Sequence, residues 1–253
     1  MEVKQNKNQF FYQQFIQQIK ESVIVQKYVL IELKESGELK NKDFNDINLI
    51  KIEPNFHIYY KQLNNCFTRC SNLVYLRLNL FNQCNKDQDA IDLFKSLNQC
   101  KSITHFELNI QNSNPYNGCV QDFGILKLAE TLSSLQNIQF LNLAISQFIK
   151  GATVSCLGKA ILKLTKLKNL ILDFGHHPFD DLVVKYDESE EHINGFILCF
   201  KEILKCSQLK TIELCLDYLN PISEIKNIIY KCKQIASLKY ISYEVRMYQS
   251  KFF

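Results

Sequence analysis

A pattern of apolar residues that recurs six times constrains the fold of this chain more than any other feature. Each copy begins at an apolar residue, taken as position zero, and has further apolar residues at positions +3, +5 and +7. The six starts are Leu73, Ile103, Ile138, Leu167, Leu209 and Leu238. Side chains that alternate in this way are typical of a β-strand with one buried face.

The same pattern extends backwards from each start. Positions −3, −6, −10 and −13 are apolar or Cys in all six copies. Spacings of three and four residues place side chains on one face of an α-helix, so each unit is predicted to be a helix followed by a short strand. One such unit cannot bury its apolar face alone, and the units must therefore stack. The sequence predicts an α/β solenoid shaped like a horseshoe, with parallel strands on the concave side and helices on the convex side.

The recurring LxxLxL strand, preceded by a helix that often ends in Cys, resembles the leucine-rich repeat family. Repeat intervals of 29 to 42 residues are similar to its ribonuclease-inhibitor-like branch, and residues 72–80, NLVYLRLNL, look like repeat proteins of ciliates, some of them named for a fused protein kinase domain. The resemblance covers about residues 45–247. The family usually has a side-chain ladder of Asn or Cys three residues after the last strand leucine, and we expect it to be missing or replaced here. Those positions hold Phe81, Gln111, Ser146, Gly175, Asp217 and Arg246.

The predicted domains are an N-terminal helical cap at residues 1–46 and a leucine-rich repeat domain of about six to seven repeats at residues 47–253. Ile47, Ile50 and Ile52 repeat the strand spacing before Pro54, which predicts one additional strand. Insertions are predicted to form loops at about 111–122 and 175–195. Only eight residues follow the last predicted strand, so its edge would be left uncovered. We therefore expect this C-terminal edge to be completed by a partner, by a second copy of the chain or by further sequence.

The cysteines and the charge bear on compartment and partner class. The chain has ten Cys in 253 residues but no CxxC pair, and at 46% hydrophobic content it can bury a core without disulfides. Neither a signal peptide nor a membrane span is recognisable in the sequence. These features predict a reduced, cytoplasmic protein with no membrane association. A net charge of +4 is too weak to indicate a nucleic-acid partner.

Half of the cysteines fill positions that other repeats fill with Leu or Ile, and these are predicted to be buried in the core. They are Cys70, Cys100, Cys199, Cys206 and Cys232. The others lie outside the repeat positions, and we do not expect any of them to be a nucleophile, because no His or acid accompanies them in a protease-like motif. They are Cys66, Cys84, Cys119, Cys156 and Cys215.

Three further features resemble functional motifs, and each has a simpler structural interpretation. Asp173, Phe174 and Gly175 match the DFG triplet of protein kinases, but no glycine-rich loop or HRD triplet accompanies them, and Phe174 occupies a core position. Lysines on or after the fourth helix are expected to form a solvated face: Lys159, Lys163, Lys166 and Lys168. Potential metal ligands crowd the loop after the fourth strand, where a solvated loop explains them equally well: His176, His177, Asp180, Asp181, Glu190, Glu191 and His192. We predict no catalytic residue, metal, cofactor or small-molecule substrate.

The strand residues at positions +2, +4 and +6 are predicted to point away from the core, and we call this surface the concave face. Exposed Tyr, Phe and Arg on it are typical binding anchors, and Tyr75, His105 and Phe140 are expected to be neighbours across adjacent strands. Acidic residues farther along favour a protein or peptide with an apolar anchor and a basic segment. The predicted partner-binding residues are Tyr75, Arg77, His105, Glu107, Phe140, Asn142, Asn169, Asp173, Glu213, Tyr240 and Glu244.

The sequence therefore favours a non-catalytic protein-interaction scaffold. The alternative is the regulatory repeat region of a kinase-family protein whose catalytic domain is absent from this chain.

Overall fold

A computed structural model describes residues 49–52, 60–80, 87–111, 120–145, 149–174, 190–215, 230 and 240–244. Seven strands and five helices lie in these ranges. The strands are β1 (Leu49–Ile52), β2 (Tyr75–Asn79), β3 (His105–Asn109), β4 (Phe140–Ala144), β5 (Asn169–Asp173), β6 (Thr211–Cys215) and β7 (Tyr240–Glu244). The helices are α1 (Tyr60–Phe67), α2 (Asp87–Leu97), α3 (Asp122–Ser134), α4 (Gly151–Leu162) and α5 (Glu190–Ile203). The predicted cap at residues 1–46 lies outside the described residues.

The seven strands form one parallel sheet in chain order. Every strand pairs in register with the next, so equivalent positions of successive repeats stand side by side. Ile50 pairs with Leu76 in this way, which confirms the additional strand predicted before the first repeat. From β2 onwards each strand covers positions +2 to +6, and the apolar residues at zero and +7 flank it.

The helices pack against one another on one side of the sheet. Packed helices lie about 8–10 Å apart, whereas neighbouring strands lie about 4.8 Å apart. The helix layer is therefore longer than the strand layer, which curves the stack and puts the sheet on the concave side. The predicted fold class is confirmed as an α/β solenoid of the leucine-rich repeat kind.

One continuous apolar core fills the space between the sheet and the helices. Leu141 and Leu143 of β4 are fully buried, as are Leu170 and Leu172 of β5. Apolar residues predicted to face the core are buried wherever the structure describes their side chains. None of the described helices is long and apolar enough to cross a membrane.

The buried cysteines behave as small core residues that also bond to the backbone. Cys100 Sγ donates to the carbonyl oxygen of Phe67 at 3.3 Å, at the end of the preceding helix, where carbonyls lack helical partners. Burial raises the pKa of the Cys100 thiol to about 12 and that of Cys206 to about 11, so both stay protonated near neutral pH. Cys66, which lies outside the repeat positions, is buried as well, with its Sγ 3.7 Å from Cys70 Sγ.

Aspartates at helix starts connect successive repeats. Asp87 Oδ1 accepts a hydrogen bond from the backbone N–H of Gln121, just before α3. Asp122 Oδ1 accepts one from the backbone N–H of Lys150 at 2.9 Å and another from the Thr153 hydroxyl at 2.6 Å. These carboxylates satisfy N–H groups that a helix leaves unpaired at its start. They link neighbouring repeats by side-chain hydrogen bonds.

The loop predicted for residues 175–195 is shorter than expected, because α5 already begins at Glu190. Ile193, upstream of the predicted helix face, packs against the core, and the acidic side chain of Glu191 suits a helix N-terminus. The loop predicted for residues 111–122 ends where expected, because α3 begins at Asp122, and Val120 just before it is buried in the core.

Candidate functional site on the concave face

In-register pairing arranges the concave face as three rows of side chains that run across the strands. The first row, at position +2, holds Tyr75, His105, Phe140, Asn169 and Thr211. The second, at position +4, holds Arg77, Glu107, Asn142, Ile171 and Glu213. The third, at position +6, holds Asn79, Asn109, Ala144, Asp173 and Cys215.

Two predicted binding residues belong to the last strand. Tyr240 and Glu244 lie on β7, paired through the backbone with Thr211 and Cys215. Their side chains are outside the described part of the chain, so their roles stay predictions.

Three aromatic rings stack across the first three repeats. The rings of Tyr75 and His105 have centroids 6.1 Å apart at an angle of 23°, and those of His105 and Phe140 are 6.0 Å apart at 21°. This confirms that the three residues are neighbours across adjacent strands.

The expectation that Tyr75 and Phe140 protrude into solvent was wrong. Only 8% of Tyr75 and 9% of Phe140 is exposed. Flat rings at the same position of closely spaced strands cover one another, which removes part of their surface from water. The aromatic row is therefore a packed part of the concave face, and its rings do not protrude as binding anchors.

Glu107 joins the aromatic row to the second row. Its Oε1 accepts a hydrogen bond from the Tyr75 hydroxyl at 2.5 Å, and its Oε2 lies 3.8 Å from Nε of Arg77. Glu107 is 7% exposed, and a carboxylate so covered requires partners to offset its lost hydration. These two contacts hold the carboxylate as a structural element of the face.

His105 is held neutral in the centre of the stack. Its Nδ1 lies 2.7 Å from the hydroxyl of Thr104, a residue that the sequence analysis did not single out. Burial lowers the pKa of His105 to about 4, far below the pH at which a general base works best. The geometry assigns this imidazole a packing role.

Acidification is expected to destabilise the protein through His105. In the unfolded chain its pKa is near 6.5, so the unfolded state takes up a proton first as the pH falls from about 6.5 towards about 4. The stability due to the neutral folded form is thus present above pH 6.5 and lost across that window. The free energy of unfolding, measured in urea, should fall more between pH 7 and pH 5 for the wild type than for His105→Phe, a variant that keeps the ring stack. Equal losses in both proteins would contradict this role.

The part of the face from β4 to β6 is more open. Asn142, Ile171 and Glu213 stand side by side in the second row and are all half-buried. In the first row, the Thr211 hydroxyl donates to Asn169 Oδ1 at 2.8 Å. Ile171 was not among the predicted binding residues, although its position +4 marks it as a member of this face.

Phe174 of the DFG triplet is a core residue. It is 2% exposed and packs edge-to-face on Phe196 of α5 at 5.0 Å between ring centroids. Asp173 lies at the end of β5 on the concave face, and its backbone carbonyl accepts a hydrogen bond from Ile145 at 2.8 Å. The triplet thus follows from the strand pattern of a repeat.

No group of three or more His, Cys, Asp or Glu side chains within the described ranges could hold a metal ion. Of the ligand-rich segment considered above, Glu190 and Glu191 lie in the first turn of α5. His176, His177, Asp180 and Asp181 lie outside the described residues.

Comparisons with known proteins add little to this picture. No protein-family model matches the chain, and no curated protein matches it either. Among solved structures, the actin-binding site 2 of leiomodin-1 is similar, with 15% sequence identity and a TM-score of 0.44 over 69% of this chain and 87% of that one. A similarity at this level carries no argument about function, and the fold rests on the repeats and the sheet described above.

Proposed function

We propose that the chain is a non-catalytic protein-interaction scaffold that binds a protein or peptide on its concave face. The observation that carries this proposal is the half-buried strip of Asn142, Ile171 and Glu213, on three strands held in register by the core. Side chains fixed on rigid elements lose little freedom on binding, which favours recognition of a partner.

The chemistry of the strip favours a particular kind of partner. Ile171 is an apolar contact set among polar neighbours, and an apolar centre with a polar rim is typical of protein interfaces. Asp173 and Glu213 on β5 and β6 contribute negative charge. A peptide with an apolar anchor and a basic segment matches both features.

The finer family placement belongs to the same proposal. Repeat intervals of 29 to 42 residues support the ribonuclease-inhibitor-like type, and residues 72–80, NLVYLRLNL, support relatives among ciliate repeat proteins. The free thiols of the described cysteines fit a reducing compartment such as the cytoplasm. Association at the edge beyond β7, and the alternative of a regulatory region of a kinase-family protein, rest on the sequence alone.

Capture of partners from cell lysate tests the binding surface. The double variant Asn142→Arg and Ile171→Arg places two cations in the middle of the strip. We expect recovery of any specific partner to fall at least about tenfold, because buried interface positions do not accept unpaired charge. The matched control is Leu126→Arg with Leu198→Arg, which adds the same charge at the exposed helix positions.

The helix variant should unfold within about 0.5 kcal/mol of the wild type, as surface substitutions usually do. The strip variant should lose up to about 1 kcal/mol more, because its two arginines face each other across β4 and β5, and it should stay folded. Loss of the partner in the strip variant alone supports the concave face. Loss in the helix variant alone, or in neither variant, contradicts it.

A further inference from the structure

Positive charge collects on one edge of the solenoid, where each helix leads into the following strand. The described segments of this edge are residues 68–74, 98–104, 135–139, 163–168 and 204–210, and they contain seven cations but no Asp or Glu. All seven cations are exposed, and we call this edge the basic rim: Arg69, Lys101, Lys163, Lys166, Lys168, Lys205 and Lys210.

The charge is densest in the last two of these segments. Lys168 and Lys210 occupy the same position in neighbouring repeats, and the backbone N–H of Lys210 donates to the carbonyl of Lys168 at 2.7 Å. Lys163 and Lys205 are likewise equivalent, each lying four residues before the start of its strand pattern. Like charges at facing positions of adjacent strands repel one another and destabilise the fold.

Neighbouring side chains orient the ammonium groups and leave most of the charge in place. Lys166 Nζ donates to Asn137 Oδ1 at 2.7 Å, and Lys168 Nζ donates to Gln139 Oε1 at 2.9 Å. Both acceptors are neutral amides. One rim lysine forms an ion pair with a described residue: Lys205 Nζ lies 2.7 Å from Glu202 Oε1.

Helix dipoles account for only part of the rim. Lys163 follows directly on the C-terminal end of α4, and Lys205 lies two residues after the end of α5, where cations are favourable. Lys166, Lys168 and Lys210 come later, beside the starts of β5 and β6. The dipole effect falls off within the last turn of a helix, so these three charges have no such origin.

We propose that the basic rim is a second binding surface, separate from the concave face, and that its ligand is an acidic segment of a polypeptide. Binding of carboxylates would relieve the repulsion between lysines that the fold brings together. Thr165, Ser207 and Gln208 are exposed between those lysines and offer hydrogen bonds to the same ligand.

The composition of the rim argues against the two other common anionic partners. Single-stranded nucleic acids are held by aromatic stacking together with phosphate contacts, and the described rim segments contain no aromatic residue. Non-specific binding of a duplex rests on many phosphate contacts, and a net charge of +4 is too weak to favour it. Membrane surfaces are held by exposed apolar side chains in addition to basic ones, and the apolar residues of these rim segments are not exposed.

The test measures fluorescence anisotropy of a labelled peptide of about twelve residues that alternates Glu with Ser. Wild-type protein should bind it, and the affinity should fall as salt rises from about 50 to about 200 mM, because exposed charges are screened. The triple variant Lys166→Gln, Lys168→Gln and Lys210→Gln should bind at least about tenfold more weakly. The matched control carries Lys95→Gln, Lys159→Gln and Lys201→Gln, all eight residues before a repeat start on exposed helix positions, and should stay within about twofold of wild type.

Two further probes separate the classes of partner: a DNA duplex of about twenty base pairs, and phosphatidylcholine vesicles that contain phosphatidylserine. Weaker binding of both, with a peptide affinity that depends on the rim lysines, supports the proposal. Tighter binding of the duplex or the vesicles overturns the assignment to an acidic polypeptide. Absence of peptide binding, or equal binding by the rim and control variants, overturns the rim as a binding surface. None of these outcomes depends on the concave face, so the two proposals fail separately.

Discussion

Replacing Leu141 or Leu172 with Ala is expected to lower the free energy of unfolding by about 2–5 kcal/mol, because each truncation opens a cavity in a closely packed core. Leu141 lies on β4 and Leu172 on β5, and both are fully buried between the sheet and the helices. Urea unfolding followed by circular dichroism measures the change for each variant.

Leu198→Ala is the matched control, since it removes the same atoms from a side chain that is 48% exposed on α5. We expect it to cost less than about 1 kcal/mol. If the two strand variants changed stability no more than this control, the assignment of buried and concave positions along the strands would be wrong.

Gly195→Ala is expected to destabilise the protein, although the same change at an exposed helix position stabilises it by about 1 kcal/mol. Here α5 runs against α4 so closely that a Cβ atom on Gly195 would lie 2.1 Å from the carbonyl oxygen of Gly151. A Cβ on Gly158 would similarly lie 2.6 Å from Cα of Cys199. Backbone atoms cannot move aside as a side chain can, so the two helices must separate, at a cost of about 1–3 kcal/mol or more.

Asn194→Ala, one residue earlier at an exposed position of the same helix, controls for helix propensity and should leave stability the same or slightly higher. Thermal and urea unfolding of both variants provide the measurement. A rise in stability for Gly195→Ala would mean that α4 and α5 do not approach each other through their backbones.

The arrangement of helices and strands could be predicted from the sequence because two different periodicities alternate along it. Apolar residues are three or four positions apart up to Leu135 and two positions apart from Leu141 to Leu143. The structure places α3 in the first segment and β4 in the second. In-register stacking follows from the same pattern, because only that register buries every apolar position of adjacent strands.

Details that depend on contacts between repeats were not predictable in the same way. The rings of Tyr75, His105 and Phe140 stack only when three strands stand side by side, and the sequence of a single repeat does not predict this. Cys66 is buried although it lies outside the repeating positions used for prediction.

The basic rim shows the same limit. Within the sequence, Lys166 and Lys168 belong to a lysine-rich stretch that reads as a solvated helix face. Stacking of the repeats brings Lys168 next to Lys210, which lies 42 residues further along the chain, and only then do the lysines of the two repeats form one charged cluster.

The central claim, that the concave face binds a protein partner, is tested most directly by site-specific photocrosslinking. A photoreactive phenylalanine at position 171 would lie in the middle of the open strip, and the same residue at position 198 would lie on the exposed side of α5. After irradiation in cells, we predict a covalent adduct with a partner from position 171 and none from position 198. Adducts from position 198 alone, or from neither position, would contradict binding through the concave face.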